Sequence, residues 1–96
     1  MPQVRFKAKV QRVVNMDGTP AYEYVKVPAL NRRHADMHAF RTHPEYGPLA
    51  NSDFFPSVLA HAAKAVAPEG IIRLDKVPDG VTVDTSGFLA VVTLDL

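Results

Sequence analysis

Between residues 32 and 47 the chain reads RRHADMHAFRTHPEYG, a stretch holding three of the four histidines, three arginines and two carboxylates. Imidazole and carboxylate are metal-ligand types. On a strand, His34, Asp36 and His38 would line one face as a two-histidine, one-carboxylate set suited to iron or zinc. On a helix, His34 and His38 share a face one turn apart, but Asp36 lies about 200° round from His34 and points away. The pattern of residues 29–41 reads as helix, so His34 and His38 are an incomplete pair unless His43, Glu45 or His61 completes it through folding. No metal or other cofactor is expected.

Nucleophilic chemistry finds less support. Ser52, Ser57 and Ser86 are available beside the histidines, but none sits in a G-x-S-x-G turn, and Ser86 in "TSG" is explained by hairpin chemistry. The five glycines are not clustered, and neither G-x-x-x-x-G-K nor G-x-G-x-x-G occurs. A binding protein rather than an enzyme is expected.

The cations have the more specific layout. Arg5, Lys7 and Lys9 alternate with apolar residues, so on a strand they project from one face at about 6 to 7 Å intervals, comparable to successive phosphates on a nucleic-acid strand. Lys26 joins them if the first two strands pair, with Arg12, Arg32 and Arg33 near by. Net charge is only +1, yet residues 1–41 carry eight Lys/Arg against three Asp/Glu, a net +5, and residues 42–96 carry three against seven, a net −4. Such asymmetry suits a polyanionic partner or head-to-tail pairing of copies. Tyr22 and Tyr24 could stack on bases if exposed beside the stripe, although alternating tyrosines on a half-buried sheet more often pack against a neighbouring element.

The elements that must position these groups belong to a single small domain. Ninety-six residues, 47% apolar and 22% charged, fit one modest core. The absence of cysteine excludes a disulfide framework and thiolate sites, so a cytoplasmic setting is expected. The opening MPQVRFKAKVQRVV has no apolar h-region, and no stretch approaches the roughly 18 to 20 apolar residues of a bilayer span.

Val4, Phe6, Ala8 and Val10 alternate with charged and polar residues and predict a strand, with a slip at Arg12, Val13 and Val14 that marks a bulge or its end. "NMDGTP" reads as a hairpin loop and "AYEYVKV" as the returning strand. Pro28 opens a predicted helix through Arg41, held down by Leu30, Met37 and Phe40 and stopped by His43, the residue before Pro44. Asp53 is the predicted N-cap of a second helix with Phe55, Val58, Leu59, Ala62 and Val66 on its inner face and Gly70 beyond its end. "IIRLDKV", "VTVD" and "FLAVVTLDL" then read as strands, with Phe88, Ala90, Val92 and Leu94 facing inward.

The run "YVKVPALNRRHADM", in which a basic strand, a turn and a strand ending in V-x-P lead to arginines on a short helix, resembles the AbrB-like swapped-hairpin domain. The resemblance covers Lys9 to Asp36 and, more loosely, "VPDGVTVDTSGFLAVV" (77–92). About thirty-five residues, including the second helix, separate the parts that adjoin in that family. The resemblance implies interleaved dimers that bind DNA, with Lys9, Arg12, Arg32 and Arg33 matching the basic positions nearest it.

The expectation is an α+β domain over residues 1–96: an N-terminal β-hairpin, a short helix, a longer helix and C-terminal strands forming a small sheet or part of a dimeric barrel. Its expected function is DNA binding by a regulator-like homodimer, through Arg5, Lys7, Lys9, Arg12, Lys26, Arg32 and Arg33, with no membrane partner. The competing expectation is a small interaction or inhibitory module that docks on a larger protein, and a third is a metal-binding protein built on His34 and His38.

Overall fold

Alternation of Val4 and Phe6 with Arg5 and Lys7 forms strand β1, Gln3–Ala8, as the period-2 pattern requires. A computed structural model describes residues 2–96 of the chain. In it β1 pairs antiparallel with β6, Ala90–Asp95, in the register Val4 opposite Leu94 and Phe6 opposite Val92. Strand β5, Val81–Asp84, pairs with the other edge of β6, so this sheet has the order β1-β6-β5. Paired residues share a face. Val4, Phe6, Ala90, Val92 and Leu94 are buried on the inner one, with Ala8, Val81 and Val83 packed against them. The outer face carries Gln3, Arg5 and Lys7 from β1, then Val91 and Thr93, then Thr82 and Asp84. The sheet ends are also tied, with Leu96 N–H donating to Pro2 O at 2.9 Å.

The N-terminal hairpin forms one strand later than the sequence suggests. The chain leaves the first sheet at Lys9 and Val10, and β2, Gln11–Val14, pairs with β3, Pro20–Lys26. The predicted slip is a bulge: Val13 faces Tyr22 while Val14 faces Pro20, leaving Ala21 as the extra residue. Gly18 turns the tip at a φ of +86°, a conformation costly for residues with a Cβ. Asp17 Oδ1 accepts the Thr19 hydroxyl at 2.6 Å and the Thr19 N–H at 3.0 Å, which holds the Asp17 carboxyl below its ordinary range. The third strand here is β4, Ile71–Arg73, giving the order β2-β3-β4. The predicted strand over 71–77 therefore ends at Arg73, where Arg73 and Asp75 close a bidentate ion pair.

Residues 29–41 do not form one helix. Arg32–His34 is a 3-10 turn, Ala35 is extended and bridges to Val4, and only Met37–Thr42 is α-helical, α1. Local side-chain chemistry overrides the apolar spacing. Arg33 N–H donates to Asn31 Oδ1 at 2.9 Å, Asn31 N–H donates to His34 Nδ1 at 3.1 Å, and Asp36 accepts from Ala39 N–H to start α1. Leu30 and Phe40 still reach the core, and the helix still stops at His43.

The second helix, α2, spans Phe55–Val66 and starts one residue later than predicted. Phe54, not Asp53, is its N-cap, and Pro56 lies in the first turn, where no intrahelical bond is lost. Phe55, Leu59 and Ala63 point into the core, Ser57, His61 and Lys64 point out, and Gly70 takes the expected positive φ beyond the helix end. A single buried cluster joins the inner face of the first sheet, Val25 and Ile72 of the second, and the helices. Phe40 sits at its centre with its ring edge-on to Phe55 at 5.1 Å and to Tyr46 at 5.5 Å. Phe88 does not continue the inner face of β6: the strand begins only at Ala90, and Phe88 stands in the β5–β6 loop, 97% exposed.

Candidate anion-binding groove

The free edge of β1 is where the chain returns after the 3-10 turn. Asp36 N–H donates to Gln3 O at 2.8 Å, and Ala35 bridges to Val4, so the turn is docked against the strand bearing Arg5 and Lys7. Between them lies a groove of about 540 Å³. Arg5 and Lys7 rise from β1, Arg33 and His34 border the groove on the side of the turn, Val91 of β6 borders it beside Lys7, and Asp36 lies near Gln3. Among the described residues, neither Arg5, Lys7 nor Arg33 forms an ion pair. Their charge is available to a ligand.

The wall made by the turn is rigidly specified. The reciprocal Asn31 and His34 bonds fix its backbone, and Arg32 Nη2 donates to the carbonyl of Ser52, binding the turn to the loop before α2. Accepting from Asn31 N–H commits His34 Nδ1 as the unprotonated ring nitrogen. In the neutral ring Nε2 then carries the proton and is a donor. Asp36 directs Oδ1 at Ala39 N–H, 3.2 Å away, and so serves first as the cap of α1.

The seven cations named from the sequence separate into groups. Arg5, Lys7 and Arg33 meet at the groove, whereas Arg32 lines a shallower neighbouring hollow with Asn31, Arg33, Asp53 and Pro56. Lys9 is exposed in the link between β1 and β2. Arg12 lies across from Glu23 at 3.8 Å on the second sheet. Lys26, at the end of β3, pairs opposite Ile71; since β1 and β3 are not neighbours, it does not extend the β1 stripe. Tyr22 and Tyr24 pack on each other at 6.0 Å, and the Arg73 guanidinium covers the Tyr22 ring at 4.0 Å. Neither tyrosine lines the groove.

His34 and His38 do not form the one-turn pair that a helix would give, because extended Ala35 separates the turn from α1. Among the described residues no three His, Asp or Glu side chains gather as metal ligands do. His34 belongs to the groove instead. Its signal in the sequence was Asn31 three residues earlier, the spacing of a reciprocal cap. Val91 had no signal as a site residue, and Asp36 stood out only as a metal-ligand type, because each reaches the groove through pairing with distant chain. No helix in the described residues is long and apolar enough to cross a membrane. No protein-family model, curated protein or solved structure matches the chain.

Proposed function

We propose that this protein binds DNA through its phosphates, with the groove between β1 and the Arg32–His34 turn as the primary contact. The reading rests on the convergence of Arg5, Lys7 and Arg33 around one concavity with no carboxylate pairing them internally. Two guanidinium forks can each hold a phosphate bidentately, while Lys7 adds a point charge. Across the sheet the cations of β1 give way to Thr82 and Asp84 on β5, which confines an anion to the β1 side. Of the positions the swapped-hairpin resemblance would set against DNA, Arg33 lines the groove, while Arg12 stands on the second sheet beside Glu23.

A salt titration of labelled DNA tests the reading. Three neutralised phosphates on a duplex give a slope near −0.9 per contact, so affinity falls roughly 40-fold for a fourfold rise in salt. Arg5→Ala, Lys7→Ala and Arg33→Ala together should abolish most binding. Absence of binding at low salt, or unchanged binding by the triple variant, would defeat it.

A second reading, association through the hairpin tips, is favoured by one observation: Met16 and Phe88 are almost entirely exposed. Large apolar side chains held out at turns are what a second copy of this chain would cover. Sedimentation should then show a dimer that Met16→Ser with Phe88→Ser returns to monomer. Identical monomers for both proteins would remove this reading and leave DNA binding untouched.

A further inference from the structure

We infer that the groove seats one unpaired nucleotide, so that the protein prefers single-stranded nucleic acid to a duplex; this rests on the DNA-binding reading. The shape argues for it first. A volume of about 540 Å³ is that of a small-ligand cleft. A duplex presents phosphates on the outside of a stiff cylinder and would reach the rims of such a cleft, not its interior. A splayed strand can place a phosphate, sugar and base inside it.

The lining argues for it second. A phosphate needs only the cations, yet the groove is also bordered by the apolar side chain of Val91, which contributes nothing to a phosphate and suits the face of a base or sugar. The ring of Phe6, the aromatic residue in the lining, is turned to the core, but Arg5 and Arg33 offer guanidinium planes, which stack on bases as well as pairing with phosphate. The His34 Nε2–H left by the bond from Asn31 adds a neutral donor.

Polarity along the groove argues for it third. Asp36 lies at the Gln3 end, where its N–H holds the Gln3 carbonyl, and Lys7 is four residues further along β1, about 13 Å away. A phosphate is driven toward Lys7 and Arg5, away from the carboxylate. Asp36, whose Oδ1 caps α1, is then placed to accept from a base N–H with its other oxygen.

The test compares an oligothymidylate with a duplex of equal length at matched salt, by fluorescence anisotropy, for the native protein and Val91→Lys. Val91 is only partly buried on the outer face, so the variant should fold. The native protein should bind the single strand about tenfold more tightly, a difference within the range of one base–side-chain stack. Lysine at 91 adds a cation but takes away the apolar border, so the strand-to-duplex ratio should collapse toward one even as duplex binding tightens. Equal or tighter binding of the duplex by the native protein overturns the inference and leaves the DNA-binding reading standing. A single-strand preference unchanged in Val91→Lys overturns the placement of the base, and binding of neither form defeats both.

Discussion

The two sheets carry similar numbers of strands but are held together by different forces. In β1-β6-β5 every second residue of the central strand is buried, and the inner face is continuous with the helices. In β2-β3-β4 only Val25 and Ile72 are buried, and the outer part of the hairpin, with Val14 and Met16, is exposed. Local devices hold that end instead: Asp17 with Thr19, Arg12 with Glu23, and Arg73 lying over Tyr22 and paired with Asp75. The molecule is accordingly long, 52 Å by 24 Å by 20 Å, with a radius of gyration of 14.8 Å where a rounded domain of this size has about 12.5 Å. Buried sheet gives fixed geometry, and the groove is built there. The hairpin is the softer region, where local opening should come first.

The largest test of that contrast is Phe40→Ala. Removing a fully buried ring that contacts Phe55 and Tyr46 should cost about 3 to 5 kcal/mol and lower the urea midpoint of the whole chain, including the groove. A smaller change should separate binding from folding. Asn31→Ala removes the cap of the turn, with an expected loss of about 1 kcal/mol, and should weaken DNA binding because Arg33 and His34 lose their fixed placement. Retained affinity would show that the turn's order is irrelevant to binding.

Gly18→Ala tests the other side of the comparison. A Cβ there meets no neighbour, so the penalty is purely the positive φ, about 1 kcal/mol. Hydrogen exchange should speed up through β2 and β3 and stay unchanged in β1 and β6; uniform acceleration would show that the sheets open together. Acid should give the smallest effect. Thr19 holds the Asp17 carboxyl below its ordinary value of 3.8, and Arg73 does the same to Asp75. Both carboxylates contribute stability above the unfolded value, which is lost as pH falls through their lowered folded values. Asp84, held low by Ser86, behaves likewise, so NMR below pH 4 should show the hairpin tip, the β4 end and the β5–β6 turn loosening before the β1–β6 ladder.

Local patterns were legible in the sequence and distant pairings were not. The strand face of Val4 and Phe6, the turn at Gly18, the inner face of α2 and the β5–β6 hairpin all follow from neighbours a few positions apart. Residues 29–41 misled because Leu30, Met37 and Phe40 have helical spacing, while Asn31 and Asp36 hold backbone donors that divide the segment. The cations were visible but their grouping was not. Arg5 and Lys7 meet Arg33 only because Ala35 and Asp36 dock on β1, and Val91 lies beside Lys7 only because β6 pairs there.

That last pairing has a kinetic consequence. β6 is the centre of its sheet, yet more than eighty residues separate it from its neighbour β1; the bond from Gln3 Nε2 to Asp95 Oδ1 spans 92. During synthesis β1 emerges more than eighty residues ahead of β6 and waits, unpaired on that side, until β6 has followed it out of the ribosome. Contacts of such sequence separation slow folding, and the waiting strand is open to wrong partners. The groove thus has no partly assembled form: its Val91 border arrives only when β6 joins β1, and ligand binding reports that this sheet has closed.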